Sequence, residues 1–152
     1  FLAARSIGQK MGGRPSFFQK IIGEFDGAEV EVVESGPQIE EAREVGRRIL
    51  ERAERPTAVV ALNDLTAIGV MRAAKDLGLG VPEDLSVVGI DGIPLGEQLS
   101  VSLSTIAQPH KEMAAKAAEF LIDRIEGGGS DLSKEAIFET NFIERESIAP
   151  PA

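Results

Sequence analysis

Three polar side chains of this sequence, Arg14, Asn63 and Asp91, have the chemistry needed to hold a small molecule rich in hydroxyl groups. A carboxylate such as that of Asp91 accepts hydrogen bonds from two neighbouring hydroxyls, an asparagine amide both donates and accepts, and an arginine donates from a rigid fork. This set suits a sugar. It suits a nucleoside or a sugar phosphate equally, because arginine also pairs with phosphate. The three residues are therefore our candidates for ligand binding.

Asn63 and Asp91 each follow a short apolar run, which predicts that each stands at the end of a buried strand. The runs are residues 57–62 and 85–90, and an amphipathic helix that stops at Gly78 lies between them. A strand, a crossover helix and a second strand form a right-handed βαβ unit of a parallel sheet. Open α/β sheets bind small molecules at the carboxyl edge of such strands, so both side chains are predicted to face one site.

Each of these residues also has a purely structural interpretation. Asn63 or the adjacent Asp64 can cap the helix, and Asp91 can open a turn before Gly92. Either role alone is as common as ligand binding. The placement of two polar groups at the ends of two neighbouring strands favours a site.

Arg14 is placed by the proline that follows it. Pro15 disfavours helical geometry before it and suits a first helical turn, so Arg14 is predicted to lie at the mouth of a short helix. Composition alone favours a solvated surface arginine. Phe17 and Phe18 give the helix an apolar face; such residues are more often core than a platform for ligand, and we keep them as possible ligand contacts.

The remaining segments complete an α/β fold, a parallel βαβ sheet flanked by helices. Charged residues alternate with valine at 29–34, a pattern typical of a strand near a sheet edge. Further strands are predicted at 1–4, 103–106 and 136–148, a loop at 93–102, and helices at 39–53 and, opened by Pro109, at 112–125.

Catalysis has few residues to use. The single histidine, His110, is more often a surface residue than a base at such a helix start, and without cysteine it cannot build the usual zinc sets or a Cys-His pair. An acid/base hydrolase using Asp64 and Asp91 is the enzymatic alternative, but abundant acidic residues supply no pairing. We therefore expect no enzyme activity, no metal and no cofactor.

Composition limits the class of protein. The chain has 152 residues, of which 43% are hydrophobic and 27% charged, as expected for one globular domain. Its net charge of -9 repels phosphate backbones, so we do not expect this chain to bind DNA by itself. The sequence contains neither an apolar run of membrane-spanning length nor a signal peptide, so we expect no contact with a membrane.

Several motifs resemble one family of proteins. Residues 63–92 (NDLTAIGVMRAAKDLGLGVPEDLSVVGIDG), 104–109 (STIAQP) and 144–147 (ERES) are similar to the effector-binding core of the LacI/GalR transcription regulators. Residues 14–18 (RPSFF) extend the likeness, because the family usually carries Arg-x-x-Gly-Phe there. Phe17 departs from that pattern at the glycine.

The resemblance implies a fold and a ligand. The fold is a flavodoxin-like lobe of the type I periplasmic-binding-protein kind, in which Arg14, Asn63 and Asp91 match ligand-contacting positions. The ligand is expected to be a small sugar or a related metabolite. Many members hold an aromatic residue that stacks on a sugar just before the helix predicted at 39–53, whereas this chain has Pro37 there and no Trp or Tyr. That difference weakens a pyranose assignment.

The resemblance also implies how the chain is organised. Residues 1–152 are expected to be part of an effector-binding domain, mainly its C-terminal lobe, because Phe1 begins directly in a strand-like run. A DNA-binding headpiece and the other lobe are expected upstream of Phe1, outside these residues. In the family, the helix at 109–126 belongs to that other lobe, so we expect it to lack its packing partner in this chain.

On this basis we predict the effector-sensing domain of a cytoplasmic LacI-type repressor, which reaches DNA only through its headpiece. Family members dimerise through this lobe, and the helix after Asn63 is apolar on more than one face, so we predict a homodimer contact at Leu65, Ile68 and Leu99. A periplasmic sugar-binding protein of a transport system shares the fold and is the alternative. A signal peptide upstream favours transport, and a basic helix-turn-helix favours regulation.

Overall fold

The computed structural model describes residues 2–3, 31–33, 35, 38–127 and 134–150. These residues form strands β1 (Leu2–Ala3), β2 (Glu31–Val32), β3 (Ala58–Val60), β4 (Ser86–Asp91), β5 (Ser104–Ala107) and β6 (Asn141–Ile143), and helices α1 (Ile39–Leu50), α2 (Asp64–Asp76) and α3 (His110–Ile125). A short 3-10 helix, Pro94–Gln98, occupies part of the predicted loop at 93–102. The helix predicted around Arg14 lies outside the described residues.

The strands form one mixed sheet in the order β2-β1-β3-β4-β5-β6. The prediction of a parallel sheet is confirmed for the centre, where β3, β4 and β5 run parallel. The whole sheet is mixed, a feature the sequence did not predict, since β1 runs antiparallel to β3 and β6 antiparallel to β5. Strand β6 begins opposite Ala107, at the carboxyl end of β5, and runs back along β5 in the opposite direction. The edge position predicted for 29–34 is confirmed by β2.

Helix α2 has the two ends that its sequence predicts. The Asn63 side chain accepts a hydrogen bond from the Thr66 amide at 2.7 Å, which satisfies one of the free amides of the first turn. At the other end Gly78 adopts a φ of 72°, the left-handed geometry that stops a helix. Both ends of the helix are thus marked in the sequence, and only residues 61–63 separate its start from β3.

The described core lies between the sheet and the pair α1 and α2. Gly69 lets the two helices approach closely, because a Cβ there would stand 2.5 Å from the Ile39 carbonyl oxygen and 2.6 Å from the Ala42 Cβ. Each buried Val, Ile or Leu contributes roughly 1.5–3 kcal/mol. The buried apolar residues are Ala42, Val45, Ile49, Leu50, Val59, Ala61, Ala67, Ile68, Val70, Ala73, Ala74, Leu85, Val87 and Leu103.

The central strands differ from the prediction in how they are buried. The sequence predicted buried strands, whereas burial alternates along β3 and β4: Val59 and Val87 are buried, and Val60 and Val88 are half-buried. Among the described helices, α2 packs against β4 and α1 packs against α2, whereas α3 has no buried residue.

Helix α3 stands apart from this core. No side chain between His110 and Ile125 is buried by the part of the chain that the structure describes. Its apolar residues face outward, with Leu121 60% exposed and Ile125 75% exposed. An amphipathic helix normally buries its apolar stripe, so α3 has the surface of a helix that lacks its partner. Among the described helices, none is long and apolar enough to cross a membrane.

The segment after β6 is held to the sheet by polar side chains. The Ser147 hydroxyl donates to the Val87 carbonyl at 2.6 Å and accepts from the Ser104 amide at 2.8 Å. Arg145 donates to the Leu103 carbonyl at 2.7 Å. Ser147 is fully buried, so these bonds form in a dry environment and fix the order of the strands at this end.

Candidate functional site

Asn63 and Asp91 lie at matching positions at the carboxyl ends of β3 and β4. In the register of the two strands, Val60 lies opposite Val88. Asn63 and Asp91 each come three residues after that pair, so the two side chains leave neighbouring strands side by side. Both residues therefore lie at the carboxyl ends of neighbouring parallel strands.

Asn63 has a structural role and retains capacity for a ligand. Its side-chain oxygen caps α2 through the Thr66 amide. Its amide nitrogen donates to no residue within the described part of the chain. An asparagine amide has two donors, so the helix cap does not prevent Asn63 from donating to a ligand.

The backbone of Asp91 has an unusual conformation. Its φ is 124°, a region that residues other than glycine rarely adopt. The carbonyl oxygen accepts from the Gln108 amide at 3.2 Å and from Nε2 of His110 at 3.0 Å. Strained backbone of this kind persists only where the surrounding structure fixes it, and it is concentrated at functional sites.

One oxygen of the Asp91 carboxylate accepts a hydrogen bond from the residue that follows β5. Gln108 follows β5, and its side-chain amide donates to Oδ1 of Asp91 at 3.0 Å. Oδ2 accepts no hydrogen bond from the described residues. The carboxylate is therefore oriented by Gln108 while one oxygen stays available.

Asp64 is fully buried and bonded through both carboxylate oxygens. Oδ2 accepts from the amides of Gly92 at 2.9 Å and Ile93 at 2.8 Å, and Oδ1 accepts from the Thr105 hydroxyl at 2.6 Å. These bonds tie the head of α2 to the loop after Asp91 and to β5. Asp64 is thus a structural residue, and not the free carboxylate that the hydrolase alternative requires.

The environment of Asp91 disfavours its charged form. Burial of the carboxyl group raises the pKa of Asp91 above its usual range, and the negative charge of Asp64 adds to this rise. His110 and the hydrogen bond from Gln108 act in the opposite direction and lower the pKa. The net rise means that the folded protein holds an ionised Asp91 at a cost in stability, a property typical of functional carboxylates.

The other predicted ligand contacts stay predictions. Arg14, Phe17 and Phe18 lie outside the described residues. Sequence reasoning assigned no role to Gln108, although the strand-end argument also applies to it. It placed His110 at the surface, where it is exposed, but no sequence signal indicated its bond to Asp91, because that bond depends on the unusual φ there.

Two of the three predicted dimer residues belong to the wall of a cavity beside α2, and Leu65 is not part of that wall. Ile68 and Leu99 line a cavity of about 450 Å³ between α2 and the segment after the 3-10 helix. Ile68 is only 1% exposed and forms part of the wall, whereas Leu65 and Leu99 are half-buried. The dimer contact itself stays a prediction.

Comparison with known proteins identifies relatives among bacterial regulators. The ribose operon repressor of Halalkalibacterium halodurans is 36% identical over 130 residues, which cover 86% of this chain and 39% of the repressor. The arabinose metabolism transcriptional repressor of Geobacillus stearothermophilus is 41% identical over 106 residues, which cover 68% of this chain and 29% of that protein. The chain therefore spans less than half the length of these relatives.

Solved structures of similar chains contain sugars. The LacI family transcriptional regulator from Arthrobacter sp. FB24 in complex with lactose is 35% identical with a TM-score of 0.73, over 88% of this chain and 51% of that one. The regulator of the same family from Enterococcus faecalis V583 with bound ribose is 29% identical with a TM-score of 0.75, over 89% of this chain and 48% of that one.

The family model of the periplasmic binding protein-like domain matches residues 10–148, nearly the whole chain. This match and the likeness to the regulators named above confirm the resemblance that the sequence motifs indicated. The chain therefore belongs to the family of periplasmic binding protein-like domains, in the form found in LacI-family transcription regulators.

Proposed function

We propose that this chain is the effector-sensing part of a LacI-type transcription regulator and that its effector is a small sugar or a related polyol. The observation that carries the proposal is the pair at the carboxyl edge: the oriented carboxylate of Asp91 with one available oxygen, beside the amide of Asn63. Relatives of the same fold bind ribose and lactose, which are ligands of that chemistry.

The recognition chemistry follows from donors and acceptors. Oδ2 of Asp91 accepts from one ligand hydroxyl, and Asn63 donates to another from its amide nitrogen. Gln108 keeps the carboxylate in one orientation, so little rotamer entropy is lost on binding. Arg14 completes the set as a donor from the mouth of its predicted helix. Nucleosides and sugar phosphates satisfy the same groups and stay within the ligand class.

Regulation follows from closure of two lobes over the ligand. The exposed apolar side of α3 is the surface that we assign to contact with the other lobe, since a helix of this kind normally buries that stripe. A ligand that contacts both lobes stabilises the closed form and shifts the population toward it. The spacing of two DNA-binding heads then changes with ligand. DNA binding belongs to those heads, because the net charge of -9 opposes it in this chain.

Regulation is preferred to transport because the relatives named above are transcription regulators. Transcription regulators are not enzymes, and we assign no catalytic reaction to this chain. A protein that regulates transcription in a bacterium works in the cytoplasm, where we place it. We also assign it a homodimer that pairs along Leu65 and Leu99, beside the cavity near α2, with the buried Ile68 supporting this surface from within.

The test of the proposed function is a thermal-shift screen of the complete protein with D-ribose, lactose, cellobiose, inosine and ribose 5-phosphate. A ligand present at a hundred times its dissociation constant stabilises a protein by about 2.7 kcal/mol. Titration calorimetry with each compound that binds then compares Asp91→Ala with wild type. The lost charge-assisted hydrogen bonds are worth about 1.5–3 kcal/mol, so affinity should fall about tenfold to a hundredfold.

The control variant is Glu44→Ala, which removes an exposed carboxylate from α1 and should bind as wild type does. Wild-type affinity in Asp91→Ala would show that the site lies elsewhere. A screen in which none of the five compounds stabilises the protein would contradict the ligand class.

A further inference from the structure

Two donors converge on a single backbone oxygen at the candidate site. The carbonyl oxygen of Asp91 accepts from Nε2 of His110 at 3.0 Å and from the backbone amide of Gln108 at 3.2 Å. The Gln108 side chain holds the carboxylate of the same residue at 3.0 Å. Asp91 is thus held at its backbone and its side chain by the segment that enters α3.

The His110 bond has a defined direction. A carbonyl oxygen only accepts, so Nε2 of His110 must carry the proton, in the neutral ring or in the imidazolium. The bond acts on a residue whose φ of 124° is unfavourable for any side chain. Without external support the peptide groups around Asp91 relax toward ordinary backbone angles, and the carboxylate moves with them.

The loop that follows Asp91 is held by Asp64, whose carboxylate accepts hydrogen bonds from the backbone amides of Gly92 and Ile93. The loop is therefore fixed from α2 on one side and from the start of α3 on the other. Asp64 is buried, while His110 is exposed. Loss of the His110 bond should therefore release Asp91 without unfolding the core.

We propose that His110 is a positioning residue of the effector site, which holds the backbone of Asp91 so that its carboxylate faces the ligand. The proposal rests on the proposed function, because it assigns His110 a role through Asp91. His110 need not touch the ligand. The same bond attaches the first turn of α3 to the carboxyl edge of the sheet, so the ligand site and that helix share one anchor.

A matched pair of variants isolates the hydrogen bond. His110→Gln keeps a neutral donor at nearly the same reach, and His110→Met has the same length and shape as glutamine but no donor. Both residues are good helix formers, so the first turn of α3 is equally favoured in the two variants. A net hydrogen bond is worth about a twofold to tenfold change in an equilibrium constant. We expect affinity for the probe to be near wild type in His110→Gln and about twofold to tenfold weaker in His110→Met.

The titrations use the complete protein, with the probe being whichever of D-ribose, lactose, cellobiose, inosine and ribose 5-phosphate stabilises it most. Without ligand, His110→Met should melt slightly below His110→Gln, because only glutamine keeps a donor for the Asp91 carbonyl. Amide hydrogen exchange of Gln108, whose amide shares the Asp91 carbonyl, should be faster in His110→Met than in His110→Gln. That measurement needs no ligand, so it tests the positioning even if none of the five compounds binds.

A double-mutant cycle with Asp91→Ala decides whether His110 acts through Asp91. With a positioning role, His110→Met has no further effect on affinity once Asp91 is alanine. An equal loss in both backgrounds would mean that His110 contacts the ligand directly and would overturn the proposal. Equal affinity and equal Gln108 exchange in the two His110 variants would also overturn it. If Asp91→Ala alone binds as wild type does, the proposed function has the wrong site, a result distinct from failure at His110.

Discussion

The fold disfavours both the backbone conformation and the negative charge of Asp91. It adopts a φ of 124°, and burial together with the charge of Asp64 raises the pKa of its carboxyl group. A residue that served stability alone would be replaced at low cost by glycine, which adopts such angles without strain. The combination of strain, an unfavourable charge and an available oxygen is typical of a residue kept for binding.

The first prediction concerns Asp91→Asn. A raised folded-state pKa means that the carboxyl group favours the fold while protonated and loses this contribution as pH rises through the folded pKa. Asparagine has the same shape without the charge, and its side-chain oxygen can still accept from Gln108. We therefore expect the variant to melt at a higher temperature than wild type at pH 7, and to bind the effector more weakly. The difference in melting temperature should vanish below about pH 4, where the carboxyl group is protonated in both states.

Asp76→Asn is the control, because the pKa of Asp76 is shifted in the opposite direction to that of Asp91. Arg43 donates to Asp76 at 2.6 Å and holds the pKa of that carboxyl below its usual range. Its replacement should lower the melting temperature slightly at pH 7, because an exposed ion pair is worth little. Melting curves of both variants across pH give the comparison. A lower melting temperature for Asp91→Asn at pH 7 would indicate that the Asp91 carboxylate stabilises the fold.

At the residue level, the sequence predicted part of this site. Strand ends selected Asn63 and Asp91, because a parallel sheet brings its carboxyl ends together whatever the details of packing. The burial of Asp64 and the bond from His110 were not predicted. Both depend on the path of the loop after β4, which is set by contacts between residues distant in sequence.

At the level of elements, the hydrogen bond between Asp64 and Thr105 joins α2 to β5 at the carboxyl edge of the sheet. The Thr105 hydroxyl donates to Asp64 across 41 positions of sequence and accepts from the Gly92 amide at 3.3 Å. A Cβ on Gly89 would collide with the Asp64 carboxylate, so β4 carries glycine where the head of α2 crosses it. These contacts connect α2, β5 and the loop that follows Asp91.

The second prediction is that Thr105→Val destabilises the fold. Valine keeps the shape and the strand propensity of threonine but leaves one oxygen of Asp64 without a donor in a dry site. The free energy of unfolding should fall by about 1–3 kcal/mol. Urea unfolding of Thr105→Val and of Thr57→Val, an exposed threonine just before β3, measures the difference. A change within about 0.5 kcal/mol in both would mean that the hydroxyl contributes nothing net.

Sequence patterns predicted the elements unevenly. The strand, helix and strand of the central unit were recognised because apolar runs, an N-cap and a left-handed glycine mark their ends. The antiparallel direction of β6 was not predicted, because it depends on the path of the chain between β5 and β6. The short 3-10 helix Pro94–Gln98 was predicted as loop, since its five residues are too few to show a period.

At the scale of the whole molecule, one large surface is left uncovered by the described fold. The apolar side of α3 is exposed, as the family resemblance led us to expect for a helix that packs on the other lobe. The division of the effector domain into two lobes stays a proposal. The sequence suggested two lobes only through that resemblance. The apolar period of α3 shows which side of the helix needs a packing partner, but not what that partner is.

The last prediction concerns assembly through the cavity near α2. Its wall is largely apolar, with Met71 and Leu79 beside Leu99, and apolar concavities of this kind are common where another surface docks. We expect the complete protein to be a homodimer in light scattering at tens of micromolar. Leu99→Glu should give a monomer, because dimerisation would bury the new charge without a partner. The matched control is Leu95→Glu, on the 3-10 helix but not in the cavity wall, which should leave the dimer intact.

Leu99 also packs against the core, so its replacement can act by unfolding as well as at an interface; Ser100→Arg separates the two effects. Ser100 is exposed at the rim of the cavity, and arginine there adds charge and bulk without removing an apolar contact. A monomer with a wild-type melting curve for Ser100→Arg supports the interface. Because the exposed side of α3 can also drive association in a shortened chain, the measurement belongs on the complete protein. A dimer that survives both Leu99→Glu and Ser100→Arg would place the contact on another face.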